Sequence, residues 1–354
     1  MPAQTATPSK KLQVKINRPA PCQHTLSIRV ATAEVRPVRE DVVREFQREA
    51  NIAGFRKGKA PRELVEQKYP SEIREEMLRR VTQQVFQQVQ AEHKLKPVGP
   101  FEVTKLDFDD AKGLEVEANV EVEPEFKLAA YKGLALKRPS TDVSAEEMDR
   151  ALAQLQESAA ELVPTAEGQE KEKKVPALDD EFAKTMGCET LVELRAHVEE
   201  KLRERKTTEQ KSAVEQALCD ELLKRHTFDV PQRLVARQVE RLSRDFQVRL
   251  LLSGRTEEQA KEELAKYTEQ LKTNAAKLVK LSFILDRVAD EEKLTVTDDM
   301  VVDRLWKLAQ QSRQDPGQVR KALDERGLWP SVLASIRQDQ TTAFLISNAN
   351  ISDQ

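Results

Sequence analysis

Aromatic residues make up only 5% of this 354-residue sequence, and glycine (10), histidine (4) and cysteine (3) are also scarce. Each shortage closes something off. Few aromatics beside 34% charged residues disfavour one large globular core and favour thin layers and long helices with solvated faces. Cys22, Cys188 and Cys219 are odd in number and far apart, so they form no disulfide framework and fit a reducing, cytoplasmic setting. His24, His93, His197 and His226 never stand three or four apart, so no helix face offers a histidine metal pair. Cys22 and His24 read as ordinary residues of a strand pair. The sequence has no G-x-S-x-G elbow, phosphate-binding glycine loop, dinucleotide fingerprint or C-x-x-C. No run of 18 apolar residues exists to cross a membrane as a helix. Residues 1–11, MPAQTATPSKK, lack the apolar segment of a signal peptide and read as a flexible tail. A net charge of −3 is unlike the basic balance of a nucleic-acid-binding chain. Carboxylates are plentiful but alternate with lysine and arginine, as on solvated helix faces. None sits in the apolar context that a general acid needs. These absences predict no cofactor, no metal and no catalytic residue: a binding protein rather than an enzyme.

Strong periodicity is present. LQVKI and HTLSIRVA alternate as strands, with NRPAP as the turn between them. Val38, Val42, Phe46 and Ala50 form a helical stripe that Pro37 opens. Pro61 starts a short helix, and a longer one, capped by Ser71, carries Ile73, Met77, Val81, Val85 and Val89 in an i,i+4 row. FEVTKLDFD and LEVEANVEVEP read as two more strands, the second as an edge or one-face strand. The order ββαααββ over 12–123 predicts an α+β N-terminal domain with an antiparallel sheet. Residues 124–143, with Pro124, Gly133 and Pro139, read as an extended linker. Residues 144–354 read as a mainly α-helical, elongated C-terminal domain. Its first helix starts at a capping box, Ser144 with Glu147, and runs to about Leu162. Further helices are expected at about 190–226, from Pro231, and at about 256–291, 297–313, 315–325 and 329–348.

Between two of the N-terminal helices lies GFRKGKAP, residues 54–61. Gly54 and Gly58 permit backbone angles that residues with a Cβ avoid, and so shape a tight tip. Phe55, flanked by Arg56, Lys57, Lys59 and Arg62, reads in two ways. Exposed, it is a compact anchor whose ring offers apolar area while the cations attract acidic groups or phosphates. Tucked against the neighbouring helix, it is a staple, and the cations only solubilise.

The motif resembles the signature loop of the trigger factor family, bacterial ribosome-associated chaperones. Gly54, Phe55, Arg56, Gly58 and Pro61 match its G-F-R-x-G-x-x-P pattern. VEVEPEFKL (120–128), VPALDDEFAK (175–184) and FDVP (228–231) are similar to that family too. The resemblance implies an ATP-independent chaperone that shields unfolded or nascent polypeptides at the tunnel exit of the large ribosomal subunit. It makes 12–123 the ribosome-binding domain, with Gly54, Phe55, Arg56, Lys57, Gly58 and Lys59 as the contact, and 144–354 the client-binding domain. It also implies that the chain can form a homodimer. The family usually carries an FKBP-like peptidyl-prolyl isomerase domain after the helix ending near Leu162. Here residues 165–175 stand in its place. These eleven residues span at most about 40 Å, and eleven is far below the roughly 50 residues of a small domain. Residues 140–180 hold no aromatic residue with which to line an isomerase pocket. No isomerase activity is therefore expected. A chaperone that never touches ribosomes and an RNA-binding regulator using the basic tip are the other readings. Client contacts are not assigned; Leu234, Val235, Phe246 and the run 248–252 are candidate client patches, but each reads first as helix–helix core.

Overall fold

The computed structural model describes residues 12–164 and 171–353. The expected tail, 1–11, and positions 165–170 of the stretch in the isomerase position lie outside the described residues.

Strands β1 (Leu12–Ala20) and β2 (Gln23–Val30) form a hairpin, followed by helices α1 (Thr32–Glu49), α2 (Arg62–Lys68) and α3 (Pro70–Glu92). A second hairpin, β3 (Glu102–Asp109) and β4 (Gly113–Glu121), completes an antiparallel sheet of order β1-β2-β4-β3. Alternation decides which face is buried: Leu26, Ile28 and Val30 of β2 stand opposite Ala118, Val116 and Leu114 of β4, and all six are buried. The whole row Ile73, Met77, Val81, Val85 and Val89 of α3 is buried in the same core. Each such side chain contributes about 1.5–3 kcal/mol through area removed from water. The observed order is the expected ββαααββ.

Four local expectations change. β4 is an interior strand, paired on both sides, so its alternating acidic residues mark a one-face strand and not an edge. β1 runs through the expected turn to Ala20, with an irregular register between Asn17 and Ala20. Pro19 fits there because β1 is the edge of the sheet and Pro19 falls in that irregularity. α1 begins at Thr32, so Pro37 lies inside the helix rather than opening it; Val35 extends the buried side by a turn, which outweighs one lost hydrogen bond near the helix start. Pro70, not Ser71, opens α3, at its first position where no intrahelical N–H is needed.

The rest of the chain is mostly helical: α4 (Ala145–Ser158), α5 (Asp180–Thr185), α6 (Leu191–Arg225), α7 (Gln232–Leu252), α8 (Glu257–Glu291), α9 (Asp298–Ser312), α10 (Pro316–Glu325) and α11 (Trp329–Ser347). The capping box forms as expected. Ser144 Oγ accepts the Glu147 N–H at 3.2 Å, and Glu147 Oε2 accepts the Ser144 N–H at 2.9 Å. α4 stops short of Leu162, because Glu161–Pro164 (β6) pairs antiparallel with Lys171–Lys174 (β7). The expected linker is only partly a connector. Ala135–Arg138 (β5) lies parallel to Asn350–Asp353 (β8), and Leu134 and Leu136 are buried.

The chain divides into two compact units that are not contiguous in sequence. The first holds the described residues up to Lys127 together with Thr227–Phe283. The second holds Leu128–His226 and the residues from Ile284 onward. Thus α7 and most of α8 group with the N-terminal sheet, whereas the division read along the chain placed them with the other helices. Within the first unit the attachment is specific. Phe126 stacks on Phe228 at 4.1 Å, and the Arg233 N–H at the start of α7 donates to both Glu121 carboxylate oxygens at 3.1 Å.

Candidate functional site

The GFRKGKAP loop leaves the core at Ile52 and returns to it at Ala60; both pack against the α3–sheet cluster. Between them the chain turns twice, with the Phe55 N–H donating to the Ile52 carbonyl (3.1 Å) and the Lys59 N–H to the Arg56 carbonyl (2.9 Å). Gly54 and Gly58 sit at φ 88° and 80°, the left-handed region where a Cβ is strained, so glycine is needed at both turns. Two side chains pin the ends: Gln47 Nε2 donates to the Ala60 carbonyl at 2.7 Å, and Lys68 Nζ to the Asn51 carbonyl at 2.9 Å. Sequence reasoning missed Gln47 and Lys68, and no signal could have found them, because side-chain bonds to a loop backbone follow no spacing rule.

Phe55 is 41% exposed, against the buried alternative. Gly54, Arg56, Lys57 and Lys59 are exposed as well, and Gly58 is half-buried. Arg62 pairs with Glu66 at 3.1 Å, whereas Arg56, Lys57 and Lys59 have no ion pair among the described residues. An aromatic ring with three uncommitted cations on a pinned loop can offer apolar contact and charge to an acidic or phosphate-bearing surface at little ordering cost.

No group of three or more metal-ligating side chains occurs among the described residues, and no helix there is long and apolar enough to cross a membrane. All three cysteines are free thiols. Burial, then Asp229 and Glu121, push the Cys22 thiol up to about 11, so it is no ready nucleophile. Burial likewise lowers the pKa of His24.

The apolar residues of α7 divide. Leu234, Val235, Val239, Leu242 and Phe246 are half-buried, with Phe246 edge-on to Tyr267 of α8 at 5.4 Å. Val248, Leu251 and Leu252 are exposed at the end of the helix.

Family models match both halves of the sequence: the bacterial trigger factor protein model over residues 12–155, and the bacterial trigger factor C-terminus model over residues 190–347. The chain belongs to the trigger factor family. Among curated relatives, the trigger factor of Koribacter versatilis is 25% identical over an alignment covering 93% of this chain and 95% of that protein. For the Moorella thermoacetica trigger factor the identity is 26%, covering 86% and 88%. A solved structure described as "Promiscuous Substrate Recognition in Folding and Assembly Activities of the Trigger Factor Chaperone" superposes with a TM-score of 0.55 at 18% identity, over 95% of this chain and 99% of that one, which shows a shared fold. The two alignments run over 415 and 391 positions against the 354 residues of this chain, so each trigger factor relative carries stretches with no counterpart here. The two trigger factor models leave 156–189 unmatched, the stretch that holds β6, β7 and α5.

Proposed function

We propose that this member of the trigger factor family is an ATP-independent chaperone of the cytoplasm. It docks on the large ribosomal subunit beside the tunnel exit through Phe55, Arg56, Lys57 and Lys59, and shields nascent polypeptides. The observation that carries the reading is the exposed Phe55 ring beside cations that have no ion pair of their own among the described residues, on a loop held at both ends. Ribosomal surfaces are rich in phosphate and charge, and unpaired arginine and lysine meet them without first breaking an internal pair. Docking then raises the local concentration of client, so weak apolar contacts suffice and release needs no nucleotide. The exposed end of α7, with Val248, Leu251 and Leu252, is a client surface of that kind.

The chain works without isomerase activity. Where the family usually carries a domain, eleven residues, 165–175, lie between Pro164 and Pro176.

The deciding experiment is co-sedimentation with ribosomes. Phe55→Ala, or Arg56→Glu with Lys57→Glu, is expected to weaken binding by roughly 30-fold, the scale of an interface hot spot, with helical content unchanged. Unaltered pelleting would leave a ribosome-independent chaperone, and steeply salt-dependent binding to naked RNA would favour the regulator. In parallel, a proline-containing tetrapeptide is expected to show no catalysed isomerisation.

A further inference from the structure

One corner of the first unit ties the sheet to α7 and α8. Cys22 Sγ donates to the Asp229 carbonyl at 3.3 Å, and Glu121 accepts the Arg233 N–H. Phe126 stacks on Phe228, and Lys280 Nζ of α8 lies 5.0 Å from the Phe228 ring centre. His24 lies two residues from Cys22 and one ladder step from Glu121. It stands opposite Val120 of β4, and alternation puts it on the core side with Leu26 and Ile28. On its other side the β1 register breaks between Asn17 and Ala20. Only 8% of His24 is exposed, and its ring Nδ1 is buried with no hydrogen-bond partner among the described residues.

A neutral imidazole fits this place with its proton on the other nitrogen, whereas an imidazolium carries an N–H on both. Charging the ring therefore puts a buried N–H where nothing accepts it. Burial opposes the cation most, Arg18 of β1 adds to that, and Glu125, after β4, offsets only part. Val120, opposite on β4, is uncharged, and Cys22 stays a neutral thiol. We propose that His24 is an acid-sensitive latch: protonation of its ring opens this corner and frees the start of α7 from the sheet, while α3 and its core stay in place. The charged ring reaches an acceptor only by leaving its site, and the interrupted β1 ladder lets this end of β2 move without unpairing the rest. The effect is absent above about pH 6.5, the ordinary imidazole value, and grows as pH falls below it. Phe126 and Phe228, once unstacked, add apolar surface beside the half-buried stripe of α7. That this surface holds clients rests on the function proposed above; the opening does not.

Hydrogen exchange of the full chain, read by mass spectrometry at about pH 7.5 and 5.5 and corrected for intrinsic rates, tests this above the range where ordinary carboxylates titrate. Protection over 228–246 is expected to fall by about three- to tenfold at the lower pH, with α3 unchanged. His24→Phe and His24→Gln, which cannot titrate there, should each abolish the fall, although His93, His197 and His226 remain. An NMR titration of the parent should show the His24 ring titrating below 6.5. No ribosome or client enters these measurements, so a failed chaperone assay leaves them standing. Four results would overturn the proposal: exchange over 228–246 that ignores pH, an equal acid response in both variants, an equal loss of protection in α3, or a His24 ring that titrates at or above 6.5.

Discussion

Helices α3 and α7 are nearly equal in length, 23 and 21 residues, and lie in the same compact unit, yet six residues of α3 are buried and none of α7 is. Both have apolar residues at helical spacing. The difference lies in what faces them. α3 lies under a sheet whose two central strands, β2 and β4, alternate, so its apolar row meets a second apolar layer. α7 meets α8, and its stripe is half covered. A periodic stripe therefore predicts a helix, while its burial depends on the partner's pattern. A helix with a half-covered stripe can give up apolar contacts to a client without unfolding its unit.

The largest effect should come from the α3 side. Met77→Ala is expected to cost about 2–5 kcal/mol in urea unfolding, against about 1 kcal/mol for Leu242→Ala in α7. Equal costs would mean that α7 carries as much core as α3. Glycines extend the contrast. A Cβ on Gly113 would lie 2.1 Å from the Val30 carbonyl oxygen, and its φ is +92°. Gly113→Ala is therefore expected to cost about 3 kcal/mol. On the open loop nothing lies within 4 Å of the Cβ site of Gly54, and Gly54→Ala should cost only the left-handed strain, about 1 kcal/mol.

A smaller effect is expected from a surface clamp of the second unit. Lys206 Nζ lies 2.6 Å from Glu147 Oε2 and, with the Ser144 N–H, holds the Glu147 carboxyl at about 2 instead of its ordinary 4.5. A depressed carboxyl contributes stability that is full above pH 4.5 and fades as pH falls through about 2. Glu147→Gln should thus be less stable than the parent at pH 6 and equal to it near pH 2, as followed by acid melts of helical signal. Smallest of all on stability, Leu252→Ser should change unfolding by no more than about 0.5 kcal/mol. The residue is 83% exposed. Combined with Val248→Ser, it should nevertheless reduce the suppression of aggregation of a denatured protein. Full suppression by that variant would remove the end of α7 from the client surface.

Much of the fold was legible because it is written in local periods. The α3 row, the Ser144–Glu147 box and the β2 and β4 alternation each need only a few adjacent residues to declare themselves. The glycine spacing of the loop was equally plain, and so was its cationic character. Whether Phe55 pointed out was not, because an exposed anchor and a tucked staple share one sequence. β5 and β8 escaped notice for a different reason. Four-residue strands carry no usable period, and the ladder joins residues on either side of nearly the whole helical remainder of the chain. Grouping α7 with the N-terminal sheet rests on single contacts such as Phe126 with Phe228 and Glu121 with the Arg233 N–H, which no composition shift announces.

The parallel ladder of β5 and β8 also sets a schedule. Arg138 meets Asp353 at 2.6 Å across 215 positions of sequence. A chain made from its N-terminus exposes β5 long before β8 exists, so during its own synthesis the second unit stays open at that seam. The sheet layer, complete by Glu121, can close early. Until β8 follows, the second unit lacks its clasp, and deleting residues 350–353 should loosen that unit while sparing the first.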